Sequence, residues 1–201
     1  MKWLLFFCLL LLGDNQHQID IIYQIDASSK LSLNGKTSIN TYECFCKDEF
    51  QPVALKGLWN KDNGVLIFNN AFLNIKAEKL SCKNRLMNRD MHKALKAETY
   101  PYIQMHLLDV TPLTKPLPGG EVKGWNNYIA NVILTIAGIP KRTQLRIQAH
   151  KASPTMYRFI ASKELLMSEF DVKPKTPFGL VKVEDQVTIN FDLCINVREP
   201  N

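Results

Sequence analysis

The sequence predicts a mainly β protein, with about eight strands in an antiparallel barrel and a single α-helix. Apolar and polar residues alternate along several stretches, most clearly over residues 187–197. Short segments rich in Gly, Pro and Asn separate these stretches, as hairpin turns do. Predicted strands of about 9–11 residues exceed the usual length of about 5–6, which favours a barrel over a solid sandwich, the alternative.

The chain of 201 residues begins with a segment that is not expected to join this fold. Lys2 precedes an unbroken apolar run over residues 3–12, too short to span a hydrocarbon core about 30 Å thick. We interpret residues 1–16 as a secretory signal peptide and residues 19–199 as one domain. The protein is then periplasmic or secreted, with no stable membrane span. Cys8 follows the bulky Phe7, which argues against a lipoprotein.

Four strands are expected in the first part of the domain, over residues 31–34, 38–46, 65–68 and 71–77. In the second of them, Tyr42, Cys44 and Cys46 share one face because side chains alternate along a strand. Asn69-Asn70 has the composition of a turn and is expected to separate the last two strands.

One amphipathic helix of about three turns is predicted next. Asn84 is a suitable N-cap, and Met87, Met91 and Leu95 recur at i, i+4 and i+8. The residue before Pro101 avoids helical geometry, so the helix ends before it. The apolar stripe either fills the core, which periodicity alone favours, or contacts a ligand that flexible methionines suit. The polar side chains are expected largely on the outer side: Asn88, Arg89, His92, Lys93 and Lys96.

The second part of the domain alternates again after the helix. Strands are expected over residues 103–108, 128–136, 145–150, 157–161 and 187–197. Residues 111–120 and 168–180 are rich in Pro and Gly and are expected to be irregular connections. Strands resume at once after residues 111–120, so this connection is not a domain linker.

Four cysteines remain beyond the signal segment, and an exporting context favours disulfides: Cys44, Cys46, Cys82 and Cys194. Two residues apart on a strand, Cys44 and Cys46 have Cα atoms about 6.5–7 Å apart, at the edge of bridging geometry. Each of them could instead pair with Cys82 or Cys194. One bridge with two free thiols is equally compatible with the sequence.

The sequence has no recognisable catalytic or metal-binding constellation. It lacks the usual nucleophile-elbow, zinc-protease and phosphate-loop motifs, and its four histidines are isolated. Basic residues are scattered despite a net charge of +6, so we expect a solvated surface rather than a nucleic-acid site. These features predict a non-enzyme without metal or cofactor. A thiol-dependent enzyme using Cys44 is a weaker hypothesis.

Several segments resemble the YceI-like family. "NRLMNRDMHKALKAETYPYIQM" is similar to the family's helix and following strand, and "LTIAGIPKRTQL" to a strand, glycine turn and returning strand. "KLSLNGKTSINTYEC" is similar to its early strands and "VEDQVTINFDL" to its closing strand. "TYECFC" and "SCKNRLMN" resemble Bacteroidetes-type secreted members. The resemblance covers residues 19–197, through the order and spacing of these segments.

This resemblance implies a lipocalin-like antiparallel barrel with the helix packed over it. It also implies a non-enzymatic, periplasmic or secreted carrier for a polyisoprenoid or similar long-chain lipid, such as a quinone. A structural or interaction barrel of the cell envelope without ligand is the alternative, and a homodimer is left open. The cysteines and Asn40 depart from the family pattern and predict a narrower or bridged cavity. We expect these residues to line it: Tyr42, Met87, Met91, Ile103, Met105, Val132, Leu134, Ile136, Leu145, Ile147, Phe159, Phe170, Ile189 and Phe191.

Overall fold

The computed structural model describes residues 16–113, 124–174 and 181–200. The predicted signal peptide lies outside this part of the chain apart from Gln16, as do portions of the two predicted irregular connections. The strands are β1 (Gln16–Ile25), β2 (Lys30–Thr37), β3 (Thr41–Cys46), β4 (Val53–Asn60), β5 (Leu66–Lys76), β6 (Leu80–Ser81), β7 (Tyr102–Pro112), β8 (Asn126–Ile136), β9 (Ile139–Lys151), β10 (Met156–Leu166) and β11 (Val183–Arg198). The helix α1 is Arg85–Ala94, and two short 3-10 turns are Ala77–Lys79 and Met167–Phe170.

Eight of these strands form a closed antiparallel barrel, in the order β1-β4-β5-β7-β8-β9-β10-β11. The ring closes because the last part of β11 pairs with β1, from Ile22 opposite Arg198 to Ile25 opposite Ile195. The predicted mainly β fold, an eight-stranded antiparallel barrel with one helix, is therefore confirmed. No helix within the described residues is long and apolar enough to cross a membrane.

The remaining three strands form a branch at one end of the barrel. The first part of β11 pairs with β2, which pairs with β3, and β3 pairs with the short β6. A single long strand, β11, thus contacts β1 near its end and β2 near its beginning. The branch lies at the end of the barrel where β11 starts, and α1 connects its last strand, β6, to β7.

The sequence prediction missed two strands of the ring, β1 and β4. In β1, Ile19, Ile21, Tyr23 and Ile25 alternate, but the strand begins inside the segment predicted for signal cleavage. The pattern of β4 is interrupted by Gly57, where an added Cβ would lie 2.4 Å from the Ile67 carbonyl oxygen. Only glycine fits at position 57, because the neighbouring backbone approaches so closely.

The turn predicted at Asn69-Asn70 is wrong, because residues 66–76 form one strand. The pairing of β5 with β7 shifts register between Ile67 and Ala71. Asn70 turns its side chain to β4, where it accepts a hydrogen bond from the Lys56 N–H and donates one to the Ala54 carbonyl, both at 2.9 Å. The two asparagines therefore mark a bulge, where the backbone bends without reversing direction.

The interior of the barrel contains two clusters of buried apolar side chains. The main cluster comprises Ile25, Leu31, Leu73, Ile75, Ala77, Leu80, Leu95, Leu134, Ile136, Ala137, Ala161, Leu165, Phe170, Val172, Val187, Phe191 and Leu193. The second cluster lies at the opposite end from α1 and comprises Val110, Ala130, Val132 and Leu145. Met105 and Ile147 pack against both clusters and so join them.

Candidate ligand-binding cavity

A cavity of about 730 Å³ lies at the end of the barrel that carries α1 and the β2–β3 connection. A volume of this size is typical of pockets that enclose small molecules. The cavity is lined by Leu33, Thr37, Ile39, Asn40, Thr41, Tyr42, Leu80, Cys82, Asn84, Leu86, Met87, Arg89, Asp90, Met91, Ala94, Leu95, Ile103, Ile136, Leu165, Leu166, Met167, Phe170, Val172, Pro174, Val181, Val183, Val187 and Ile189. Aliphatic, aromatic and thioether side chains predominate, which suits an apolar ligand.

The helix α1 covers one side of the cavity with the apolar stripe that the sequence predicts. Its first turn is capped by Asn84, whose side-chain oxygen accepts hydrogen bonds from the N–H groups of Leu86 and Met87 at 3.0 and 3.1 Å. Met87 and Met91 line the cavity, one turn apart. The thioether side chains can adapt to ligands of irregular shape because they are flexible and polarizable.

Two polar side chains fix the helix against the segment that precedes it. Asn88 accepts a hydrogen bond from the Cys82 N–H at 2.7 Å, and His92 Nε2 donates to the Leu80 carbonyl at 3.0 Å. Both side chains lie away from the cavity, as the sequence predicts, but they are half-buried against this segment rather than fully solvated. These two bonds to the backbone hold the helix in the orientation in which its methionines face the cavity.

A disulfide between Cys44 and Cys82 joins β3 to the base of the helix. Phe45 pairs with Ser81 and Cys46 with Leu80, so the same register sets Cys44 directly opposite Cys82. Cys44 has no exposed surface, whereas Cys82 lines the cavity. Cys46 and Cys194 are free, so one of the arrangements that the sequence left open is present. Burial raises the pKa of the Cys46 thiol, which opposes formation of a reactive thiolate.

Tyr42 lies over Gly35, its partner on β2, and lines the cavity. A Cβ added to Gly35 would lie 2.3 Å from the Cζ and hydroxyl oxygen of the Tyr42 ring. Only glycine leaves room for the ring in this position. Burial raises the pKa of Tyr42, so the phenol is neutral at physiological pH and can serve as a hydrogen-bond donor.

Phe170 belongs to the 3-10 turn that follows β10 and forms another wall of the cavity. It is among the most deeply buried side chains. The turn is held to β11 by a 2.8 Å hydrogen bond from the Ser168 N–H to Asp185. Next to this turn, Oδ2 of Asp171 lies 2.9 Å from Nζ of Lys96, a residue just beyond the end of α1. Hydrogen bonds from Lys96 and Lys173 hold the pKa of Asp171 below its usual range. This ion pair connects the wall to the helix.

The mouth of the cavity lies between the β2–β3 connection and the first turn of α1. Ile39 and Leu86 both line the cavity but are 72% and 61% exposed. Polar lining groups are concentrated beside them: Thr37, Asn40, Thr41, Asn84, Arg89 and Asp90. Thr37 and Asn40 engage each other, since the Thr37 hydroxyl donates to the Asn40 carbonyl at 3.0 Å. The cavity is therefore polar at the mouth and apolar within.

A family model for the YceI-like domain matches residues 23–195. The chain belongs to the YceI-like family. Two solved structures have the same fold. A polyisoprenoid-binding domain from Saccharophagus degradans, implicated in plant cell wall breakdown, has a TM-score of 0.63 and 14% identity, covering 88% of this chain and 98% of that one. BcnA from Burkholderia cenocepacia has a TM-score of 0.58 and 18% identity, covering 85% and 99%. No curated protein matches the sequence.

In this YceI-like barrel, half of the side chains predicted to line a cavity do so. The seven at the cavity are Tyr42, Met87, Met91, Ile103, Ile136, Phe170 and Ile189. The other seven do not line it and pack in the core instead: Met105, Val132, Leu134, Leu145, Ile147, Phe159 and Phe191. They point into the barrel, as the alternation predicts, but at depths where facing side chains meet. Contact of any of these residues with a lipid stays a prediction.

Sequence reasoning missed the part of the cavity contributed by irregular segments. Ile39, Leu86, Met167, Val172 and Val181 line it from turns, the helix start and segment ends, where no strand alternation marks them. Within the described residues, no group of three or more His, Cys, Asp or Glu side chains is arranged to hold a metal ion.

Proposed function

We propose that this YceI-like protein binds a polyisoprenoid or a similar long-chain lipid in the cavity and carries it in the periplasm or outside the cell. The observation that carries the proposal is the 730 Å³ apolar cavity between α1 and the strands of the barrel. The polyisoprenoid-binding domain from Saccharophagus degradans, which has the same fold, supports the same ligand class. The protein acts by binding rather than by catalysis.

The binding free energy would come mainly from removing the lipid chain from water. Each buried CH₂ group contributes roughly 0.8 kcal/mol, so a chain of several isoprene units gains enough to offset the cost of ordering it. Apolar walls offer such a chain no directional contacts. Selection among ligands would then depend on the shape and length of the cavity and on the few polar groups at its mouth.

A location outside the cytoplasm is supported by the covalent structure of the domain. The buried Cys44–Cys82 disulfide is typical of proteins in an oxidising compartment. The apolar run at residues 3–12 has the length of the apolar region of a signal peptide. Together they favour export, with the lipid received from one membrane-associated partner and delivered to another.

The direct test is to purify the protein from its native host, extract it with organic solvent and identify bound lipid by mass spectrometry. We expect an isoprenoid lipid at near-stoichiometric occupancy. Met87→Trp, which fills the cavity, should remove the lipid, whereas Met156→Trp, a half-buried methionine on β10 that does not line the cavity, should retain it. If the wild type carries no lipid and none can be loaded, the ligand-free structural barrel becomes the better explanation.

A further inference from the structure

Three side chains mark the inner end of the cavity and are called its floor here; each lies two residues from a lining residue on the same strand. On β7, Ile103 lines the cavity and Met105 does not; on β8 the corresponding pair is Ile136 and Leu134. On β11, Ile189 lines it and Phe191 does not. Residues two apart on a strand point to the same side. Met105, Leu134 and Phe191 therefore face the same interior one layer deeper.

The interior beneath this floor is filled by protein. Leu134 and Phe191 are buried members of the main core cluster, and Met105 packs against both it and the second cluster. Beyond them, the second cluster occupies the far end of the barrel, where Val132 is almost completely buried. Within the described residues, the cavity thus has its depth set by side chains in contact with a solid core.

The volume of the cavity limits how much of a chain it can hold. If each carbon with its hydrogens takes about as much space as a water molecule in the liquid, ~30 Å³, a cavity of 730 Å³ holds at most about two dozen such groups when it is completely filled. Five carbons make one isoprene unit, so this corresponds to about four to five units.

The distribution of polar groups sets the direction of the chain. The side chains of Asn40, Thr41, Asn84, Arg89 and Asp90 all lie at the mouth, while the layer above the floor is apolar. A polar head group buried at the floor would lack hydrogen-bond partners, which is costly in an apolar interior. A prenyl lipid would therefore place its tail at the floor and its head at the mouth.

We propose that the floor formed by Met105, Leu134 and Phe191 limits the buried part of a prenyl chain to about four to five isoprene units, and we call this limit the length gauge. This inference rests on the proposed function. A longer chain would fill the cavity with the same number of units and leave the remainder outside, where it gains no further burial. The gauge would thus determine how much of a lipid the protein shields, whatever the total chain length.

The test is a series of all-trans prenyl alcohols with two, three, four, five and nine isoprene units, with Kd measured by isothermal titration calorimetry on delipidated, refolded protein. We expect affinity to rise at least about tenfold per unit in the rising part of the series, because each unit buries several carbons. The rise should stop at the fourth or fifth unit. The nine-unit alcohol should bind no more tightly than the five-unit alcohol.

Variants at the floor provide the control for chain length. Phe191→Ala removes an aromatic ring about the size of one isoprene unit and should move the limit outward by one unit. Leu134→Ala should also raise the affinity for the first chain beyond the limit. Leu145→Ala is the matched control, because Leu145 is as buried as Leu134, 5% against 6% exposed, but lies in the second cluster. It should leave the limit unchanged.

Ile189→Phe keeps the test decisive if the floor variants do not fold, as judged by circular dichroism. It adds bulk to a half-buried lining position and should shorten the limit by one unit. A steady gain in affinity up to nine units, or the same shift in Leu134→Ala and Leu145→Ala, would overturn the gauge and leave lipid binding intact. Failure of every chain length to bind would instead overturn the proposed function.

Discussion

The Cys44–Cys82 disulfide offers a prediction whose size follows from the chain topology. The bridge closes a loop between residues 38 positions apart. In the chain-entropy description, cross-linking such a loop restricts the unfolded state and stabilises the fold by about 4 kcal/mol. For a domain of this size, about 2–4 °C of melting temperature corresponds to each kcal/mol, so the double variant Cys44→Ala/Cys82→Ala should melt about 8–16 °C lower.

The assay is urea unfolding monitored by circular dichroism, and the melting temperature is measured in parallel by calorimetry. The matched control is Cys46→Ala/Cys194→Ala, which removes two half-buried sulfurs but no cross-link. Removing the bridge should also raise the m-value, because the unfolded chain becomes more expanded, whereas the control should leave the m-value unchanged. Equal losses of stability in both variants, with equal m-values, would refute the entropic argument.

Three further predictions concern single residues. Gly35→Ala should destabilise the fold by about 1–3 kcal/mol, because the new Cβ overlaps the Tyr42 ring, and adding Tyr42→Leu should recover most of the loss in chemical denaturation. Phe170→Ala should cost about 3–5 kcal/mol, since the ring is buried; a loss below 1 kcal/mol would show that the wall collapses onto the space. Asp192→Asn should flatten the dependence of the unfolding free energy on pH in the acid range. Two 2.7 Å hydrogen bonds from Arg158 lower the folded-state pKa of Asp192. The ionised carboxylate therefore stabilises the fold above its unfolded pKa of about 3.9, and this stabilisation is lost as pH falls through the folded-state pKa. An unchanged profile between pH 2 and 6 would contradict the last prediction.

Local patterns in the sequence predicted the elements whose environment is uniform along their length. β11 alternates over residues 187–197 because one face of that part of the strand is turned to the interior, and α1 has a cap at Asn84 and a stop before Pro101. β1 and β4 were missed because their patterns are short or interrupted, and they became strands by pairing with each other and with β11 and β5. Hydrogen bonds to neighbouring strands of the barrel thus stabilise β1 and β4, although their local sequence patterns did not predict strands.

The disulfide and the cavity depended on positions that are distant in sequence. Four cysteines left several arrangements open, and the register of β3 against β6 selected Cys44 with Cys82. Asn88 and His92 have polar side chains typical of a solvated helix face, yet they bind the backbone at Cys82 and Leu80. Which acceptor a polar side chain reaches is decided by the packing of separate elements.

The amino-acid sequence by itself determined the family, the β architecture with one helix, and which side of each recognised strand faces the interior. Alternation carries that information because successive side chains point to opposite faces. Only the tertiary structure decided how deep each inward residue lies, so that Ile136 lines a cavity while Leu134, two residues away, forms part of a solid core. Depth depends on how many facing side chains converge at one level of the barrel, and that number is set by the closure of the whole ring.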